Sequence, residues 1–220
     1  MKSIRSSECL NTADRYLELS GVESFSLPFK YFTSLTALET NLATKTLNWL
    51  ESDAPWILVE TDFYEQYEFS LCNAALPKEI QILVSPAFVD ALRIRIGGIF
   101  ETELGSKVDV TAHKLVKDQR IRIHNDFISE HETHRLLIQL NREWKPQYGG
   151  LLILFNSSDP TNIHRILLPI NNSALGFEVS AKSNHAVTVV QTSERFTLVY
   201  SFYDPKGNEQ FTGTNQGFLH

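Results

Sequence analysis

Past residue 105 the chain alternates short apolar runs with turn residues, which is the pattern of β-strands. The runs are rich in Val, Ile, Leu, Phe and Tyr, and several alternate polar with apolar positions. We predict strands at residues 107–116, 119–125, 134–141, 150–155, 165–169, 174–179, 185–190 and 195–203. So many short strands in one stretch predict a β-sandwich or a barrel.

Before residue 105 the apolar positions recur mainly at helical spacing. A stripe of apolar side chains predicts a helix near residues 34–51, with members Leu35, Leu38, Leu42 and Trp49. The sequence Asp53-Ala54-Pro55 then breaks the pattern, since proline cannot continue a helix.

A second helix is predicted to begin after Ser85, a favoured N-cap residue, with Pro86 in its first turn. Its apolar stripe is Phe88, Leu92, Ile96 and Ile99. The expected fold is mainly β with flanking helices (α+β), and a double-stranded β-helix, or jelly roll, fits best. Residues 1–105 would form a helical or mixed region that packs on the catalytic core of residues 106–220, within one structural domain.

Composition and charge narrow the functions. The chain has 220 residues and a formal net charge of −6 with no basic block, so we expect no nucleic-acid partner. No apolar run approaches the roughly 20 residues that span a bilayer, and the start lacks a signal-peptide core, so no membrane partner is expected. Two cysteines, Cys9 and Cys72, make neither a disulfide framework nor a zinc cluster. They predict free thiols in a reducing cytoplasm.

One predicted strand carries two side chains that bind metals. His124 and Asp126 lie two residues apart, so on a strand they point to the same face. An imidazole and a carboxylate are two of the three ligands of a 2-His-1-carboxylate facial triad. The H-x-D tripeptide alone is a weak signal, and the third ligand has to come from another strand. His185, which opens a later predicted strand, is the candidate.

An arginine follows the third candidate ligand. Arg195 lies ten residues after His185, at the start of the last predicted strand. A planar guanidinium can bind a carboxylate through two parallel hydrogen bonds. The H-x-D motif, the distant histidine and this arginine together form a more specific pattern than any of them alone.

The stretch 111–203 resembles the prolyl-hydroxylase-type branch of the iron(II)- and 2-oxoglutarate-dependent oxygenases. The likeness rests on His124-Asn125-Asp126, the run from Arg135 to Asn141, Trp144, the strand that follows Gly149-Gly150, His185 and Arg195. The resemblance implies that His124, Asp126 and His185 bind iron(II). It further implies that Arg195 binds the distal carboxylate of 2-oxoglutarate and that dioxygen is the oxidant.

The sequence departs from this branch at one place. Many relatives carry a tyrosine before the H-x-D motif that also contacts 2-oxoglutarate, and here that place falls near Leu115. The second cosubstrate contact must then come from another side chain. Lys114 lies beside that place, Gln139 follows the metal motif on the next strand, and Thr197 shares a strand face with Arg195.

The retained carboxylate bears on the reaction. Related halogenases have a small residue in its place, so Asp126 favours hydroxylation over chlorination. Arg122 shares a strand face with His124 and is either a surface charge or a contact for a substrate carboxylate. Asn125 and Arg135 are further candidates for substrate binding.

A narrower resemblance extends into the first half of the chain. Three segments are similar to a bacterial subgroup that accompanies radical enzymes building cyclophane-containing ribosomal peptides: Ala54-Pro55-Trp56, the run from Asp62 to Phe69, and Glu132-Thr133-His134-Arg135. This implies a modified peptide as substrate, with hydroxylation of a peptide or protein side chain. The same chemistry on a small molecule, such as a free amino acid, is the alternative. A non-enzymatic β-sandwich binding module is the remote alternative, and it predicts that the three ligands do not converge.

Overall fold

The computed structural model of the protein describes residues 13–128 and 131–208. These ranges contain two α-helices, α1 (Thr40–Ser52) and α2 (Pro86–Phe100). The strands are β1 (Leu17–Ser20), β2 (Glu23–Phe25), β3 (Tyr31–Ser34), β4 (Thr36–Leu38), β5 (Ile57–Glu60), β6 (Glu65–Ser70), β7 (Val108–Leu115), β8 (Ile121–His124), β9 (Glu132–Gln139), β10 (Leu152–Phe155), β11 (Ile163–Leu167), β12 (Ala174–Glu178), β13 (His185–Val187) and β14 (Arg195–Tyr203). Neither helix is long and apolar enough to cross a membrane.

Two antiparallel sheets form the body of the molecule. The large sheet has the strand order β2-β3-β12-β9-β14-β7-β6-β5, and the small sheet has the order β11-β10-β13-β8. Every strand predicted after residue 105 is present, as β7 to β14 in order. These sheets and their flanking helices confirm the predicted jelly-roll fold. Four strands from the first 105 residues also hydrogen-bond into the large sheet, so the two predicted regions share it.

Apolar side chains fill part of the space between the sheets. Leu115, Leu137 and Val199 of the large sheet share one core with Leu154 and Val187 of the small sheet. Successive side chains on a strand point to opposite faces, so the neighbours of these residues on β7, β9 and β14 point outwards. The inner face therefore combines this core with the polar cavity described below.

The two helices cover the outer face of the large sheet. Leu47 of α1 and Leu92 of α2 are buried in one cluster with Ala112, Leu136 and Leu198 of the sheet. The prediction that helices before residue 105 support one sheet is therefore confirmed.

The first helix is shorter than predicted, because part of its apolar stripe belongs to other structure. It begins at Thr40, where the Glu39 carboxylate accepts hydrogen bonds from two backbone N–H groups. Leu35 is exposed, and Leu38 ends β4. The Asn172 side chain accepts from the Leu38 N–H at 2.9 Å and donates to the Leu38 carbonyl at 2.7 Å. This long-range contact holds Leu38 in a strand despite its helical spacing.

The expectation of a mainly helical first half is wrong in extent, because six strands accompany the two helices there. The β5–β6 pair is the most consequential. It extends the large sheet past β7, with Glu68 directly opposite His113. Tyr67 and Phe69 pack on the outer side, while Gln66 and Glu68 face the cavity. Cys9 lies outside the described residues, and Cys72 is a free, exposed thiol.

Candidate functional site

A cavity of about 330 Å³ lies between the two sheets and is lined by residues of both. The small sheet contributes His124 and His185, and the large sheet contributes His113, Arg195 and Thr197. This volume falls in the range of small-ligand pockets.

The two histidines are brought together by strand pairing. His124 on β8 and His185 on β13 are direct cross-strand partners, and their ring centroids lie 4.2 Å apart. Asp126 was predicted to share a strand face with His124. Strand β8 ends at His124, however, and Asp126 lies close to both histidines from the loop that follows. Asp126 has a left-handed backbone with φ of 61°, a conformation that Asp tolerates better than most residues. Ligand atoms of the three residues all lie within 4.8 Å of one another.

The hydrogen bonds of the two rings fix where their lone pairs point. His124 Nδ1 lies 2.9 Å from the Arg122 carbonyl, and His185 Nδ1 lies 2.8 Å from the Ser183 carbonyl. A carbonyl oxygen only accepts, so in the neutral rings Nδ1 carries the proton and Nε2 presents its lone pair. The Nε2 atoms lie 3.3 and 3.2 Å from the Asp126 carboxylate. Three acceptor groups thus face one another, and a cation between them satisfies all three.

The Asp126 carboxylate is charged and incompletely paired. Burial opposes its ionisation, but His185 and His124 when their rings are protonated, together with the Arg135 guanidinium, hold the pKa of Asp126 well below its usual value. Its Oδ2 atom is buried and has no aligned hydrogen-bond partner among the described residues. Two imidazoles and one carboxylate with open positions beside them form the donor set of non-haem iron(II) oxygenases, so the residues fit that metal.

Arg195 is a buried cation at the opposite wall of the cavity. Its Nη1 donates to Thr197 Oγ1 at 2.9 Å, and its buried Nε has no hydrogen-bond partner. No carboxylate of the described residues forms an ion pair with it. Burial lowers the pKa of Arg195 to about 10, so the side chain stays charged at neutral pH. A buried guanidinium without an acidic partner is suited to an anionic ligand.

Arg135 is predicted to contact substrate, yet in the structure its guanidinium pairs with the Asp126 carboxylate. Its Nη1 lies 2.6 Å from Asp126 Oδ1, while Nε and Nη2 donate to the Glu132 carboxylate. Asp126 Oδ1 is therefore occupied by a guanidinium, and Oδ2 is the oxygen left facing His185.

Two of the predicted cosubstrate contacts lie outside the cavity. Lys114 points to the outer face of β7, where its ammonium lies over the Trp56 and Tyr67 rings and within 3.5 Å of Glu194. A role for Lys114 in holding 2-oxoglutarate is not supported, because side chains alternate and its neighbour His113 takes the inner position. Gln139 lies behind Thr197, and its Oε1 accepts from the Thr197 hydroxyl at 3.1 Å.

Two predicted substrate contacts also lie away from the cavity. Arg122 is exposed and donates to the Asp62 carbonyl at 3.2 Å. Asn125 is half-buried and accepts from the Phe127 N–H at 3.1 Å, so it shapes the loop that carries Asp126. Both side chains are used by loop contacts outside the site.

Sequence reasoning passed over the polar residues of β6 and β7 that line the cavity. These are Gln66 and Glu68 on β6, with Thr111 and His113 on β7. Nothing near His113 in the sequence marks a site. The alternation in Glu65-Gln66-Tyr67-Glu68-Phe69 was the available signal, but only the pairing of β6 with β7 turns its polar face inwards.

Comparisons with known proteins agree with this geometry. Residues 110–202 match the model of the 2OG-Fe(II) oxygenase superfamily. No curated protein sequence matches the chain. The fold is similar to a Pseudomonas putida prolyl-4-hydroxylase at 14% identity, with a TM-score of 0.65 over 90% of this chain and 98% of that one.

Two further solved structures share the fold. One is a Trichoplax adhaerens prolyl hydroxylase in complex with a peptide fragment of the hypoxia inducible factor oxygen degradation domain. It is 14% identical, with a TM-score of 0.65 over 97% of this chain and 98% of that one. The other is a viral collagen prolyl hydroxylase from Paramecium Bursaria Chlorella virus-1, at 13% identity and a TM-score of 0.56, covering 79% and 96% of the two chains.

Proposed function

Because this chain is a 2OG-Fe(II) oxygenase over residues 110–202, we propose that it hydroxylates a C–H bond of a peptide or protein side chain. Succinate and CO₂ are the expected co-products of 2-oxoglutarate. The observation that carries the proposal is the convergence of the two imidazole lone pairs on the charged Asp126 carboxylate, across the cavity from an unpaired guanidinium.

His124, Asp126 and His185 would hold the iron through two nitrogen atoms and one carboxylate oxygen. Bound iron(II) supplies the redox chemistry that couples dioxygen to decarboxylation of 2-oxoglutarate and oxidation of the substrate. The protein's own part is to hold the ligands, orient the cosubstrate and keep the cavity dry around the reacting carbon.

Arg195 would bind the distal carboxylate of 2-oxoglutarate. Its Nε is the free donor, and Thr197 fixes the plane of the guanidinium through Nη1. Gln139 holds the Thr197 hydroxyl from behind, so its role would be to position Thr197 rather than to contact the cosubstrate. This chain of contacts fixes the Arg195 guanidinium, but it does not replace the tyrosine of relatives, because the one Thr197 hydroxyl hydrogen is donated to Gln139.

Arg135 would act as a positioning residue. With Glu132 on one side and Asp126 Oδ1 on the other, its guanidinium leaves only Oδ2 for the metal. Binding through one oxygen keeps a coordination position open for the cosubstrate or for dioxygen. The pairing gives Arg135 a structural reason to lie in the cavity without touching substrate.

A peptide substrate is supported by the apolar rim of the cavity. Phe63, Tyr64 and Ile128 line it, and Phe127 and Ile128 are exposed. One of the structural neighbours is a prolyl hydroxylase solved with a peptide. The narrower proposal is a ribosomally made, cyclophane-containing peptide, and a free amino acid is the alternative. An exposed thiol at Cys72 supports a reducing, cytoplasmic location.

Turnover tests the proposal. Purified protein with iron(II), 2-oxoglutarate and dioxygen should form succinate slowly alone, and faster with a peptide that gains one oxygen atom by mass spectrometry. Stimulation by free amino acids and not by peptides would select the small-molecule alternative. Absence of metal-dependent succinate formation under all of these conditions would contradict the proposed function.

A further inference from the structure

The β6 wall of the cavity carries a buried hydrogen-bond acceptor without a partner. Gln66 is only 2% exposed, and its Nε2 donates to Glu68 Oε2 at 2.7 Å. Its Oε1 is buried and unpaired. The amide orientation is fixed, because a flip would bring two oxygen atoms to 2.7 Å of each other. An unpaired buried acceptor costs free energy unless a ligand donates to it.

Glu68 adds a negative charge next to this acceptor. The residue lies directly across from His113 in the β6–β7 register, with 3.9 Å between Glu68 Oε2 and His113 Nε2. Burial, helped by nearby Arg135, lowers the pKa of His113 to about 3, so the imidazole is neutral at pH 7 and does not balance the carboxylate. Among the described residues no Lys or Arg forms an ion pair with Glu68.

The other two cationic side chains that line the cavity, Arg195 and Arg135, already have other roles or partners. Arg195 faces the position proposed for the cosubstrate, and Arg135 is held between Glu132 and Asp126. Glu68, His113 and Thr197 lie side by side on three adjacent strands. Glu68 is thus roughly 10 Å across the sheet from Thr197, two strand spacings away. Glu68 therefore lies apart from the Arg195–Thr197 pair on the wall of the same cavity.

Part of the cavity lining is apolar. Phe63, Ile121 and Ile128 line the same cavity as Gln66 and Glu68. A long side chain with an apolar stem and a charged donor at its end fits such a lining, since Lys and Arg bury their methylene groups while pairing the head group.

We propose that the enzyme recognises a cationic side chain, lysine or arginine, in its peptide substrate, through hydrogen bonds and charge pairing with Glu68 and Gln66 Oε1. This inference rests on the proposed function and names the substrate class of the same cavity. Glu68 supplies the charge that selects the cation over a neutral donor, and Gln66 supplies the second acceptor.

Binding to the complete, metal-loaded chain tests the inference without turnover. Four tripeptides, acetyl-Gly-Xaa-Gly-amide with Xaa as lysine, arginine, norleucine or glutamine, are titrated anaerobically in the presence of 2-oxoglutarate by calorimetry. The lysine or the arginine peptide should bind at least about tenfold more tightly than the norleucine and glutamine peptides. Glu68→Gln should remove that preference, and Glu68→Lys should reverse it towards a glutamate peptide.

Glu60→Gln is the matched control, because Glu60 is an exposed carboxylate on the neighbouring strand β5 that does not line the cavity. It should keep the preference for the cationic peptides. Equal binding of lysine and norleucine peptides, equal binding of lysine and glutamine peptides, absence of binding by all four, or a preference that survives Glu68→Gln would each overturn the inference. Metal-dependent succinate formation is measured on the same samples. The proposed function can therefore stand while the inference fails, and a failure of the proposed function is recognised separately by the absence of succinate.

Discussion

At the scale of single residues, unsatisfied polar atoms mark the site more sharply than motif spacing does. Asp126 Oδ2, Arg195 Nε and Gln66 Oε1 are all buried without hydrogen-bond partners, and all three residues line or adjoin one cavity. Native proteins leave few such atoms unpaired, so a cluster of them indicates groups that are completed by ligands. The first two match the metal and the cosubstrate, and the third belongs to the substrate wall.

Arg195→Gln should weaken 2-oxoglutarate binding by roughly 10- to 100-fold, because one charge-assisted hydrogen bond is lost, which contributes about 1.5–3 kcal/mol. Metal affinity should change little, since Arg195 does not contact the triad. Calorimetric titration of the metal-free variant with iron(II) measures the metal affinity, and titration of the metal-loaded variant with 2-oxoglutarate measures the cosubstrate affinity. Arg142→Gln, which removes an exposed pair with Glu51, is the control. Unchanged cosubstrate affinity in Arg195→Gln would mean that another group binds the carboxylate.

Arg135→Lys keeps the charge beside Asp126 but cannot bridge Asp126 and Glu132 with one planar fork. We expect metal affinity to fall by roughly tenfold, the lower end of what is typical when a partner of a metal ligand is changed. Competition with a calibrated chelator measures it. Arg122→Lys, at an exposed position in the same region, should have no effect. Equal affinities for the two variants would contradict the positioning role of Arg135.

At the scale of elements, the turn before β10 shows how the backbone supports the site. Gly149 has a φ of 67°, and a Cβ there would lie 1.9 Å from the Val189 carbonyl oxygen. Gly150 follows with a φ of 61°, and a Cβ there would lie 3.0 Å from Arg195 Cδ. The paired glycines therefore let the chain pass closely over the side chain that is proposed to hold 2-oxoglutarate.

A pair of glycine substitutions separates backbone strain from helix propensity. Gly149→Ala should lower the free energy of unfolding by more than about 2 kcal/mol, through its positive φ and the clash with Val189. Gly98→Ala, in the open interior of α2, should raise it by about 0.5–1 kcal/mol. Urea denaturation measures both. A neutral Gly149→Ala would show that the turn relaxes easily.

At the scale of the whole molecule, local patterns predicted the second half of the chain better than the first. The strands β7 to β14 each show apolar alternation and are bounded by turn residues, so local sequence patterns predicted all of them. Strand spacing placed His124 and Asp126 together, whereas the roles of His185 and Arg195 were expected from the resemblance to the oxygenases. The first half was predicted less well, because its strands depend on long-range contacts. Leu38 belongs to β4, where its backbone is hydrogen-bonded to the side chain of Asn172, a residue far away in the sequence.

The residues of the cavity wall could not be predicted from local sequence patterns for the same reason. Glu68 and His113 are brought side by side by the β6–β7 pairing, and the alternation around Glu68 does not by itself show that its polar face turns inwards. Asp126 illustrates the point within a motif. Strand geometry predicted that Asp126 lies near His124. In the structure this proximity depends on the left-handed backbone of Asp126 itself, beyond the end of the strand. Long-range pairing and single unusual backbone conformations are the parts of this site that composition and periodicity do not encode.

The most direct test of the metal-centred site is anaerobic binding of 2-oxoglutarate to the protein with and without iron(II). The site predicts saturable, one-to-one binding that requires iron(II) and is lost in His185→Ala, whose circular dichroism should match that of the unsubstituted protein. Binding of 2-oxoglutarate that is absent with iron(II) present, or that persists unchanged in His185→Ala, would contradict it.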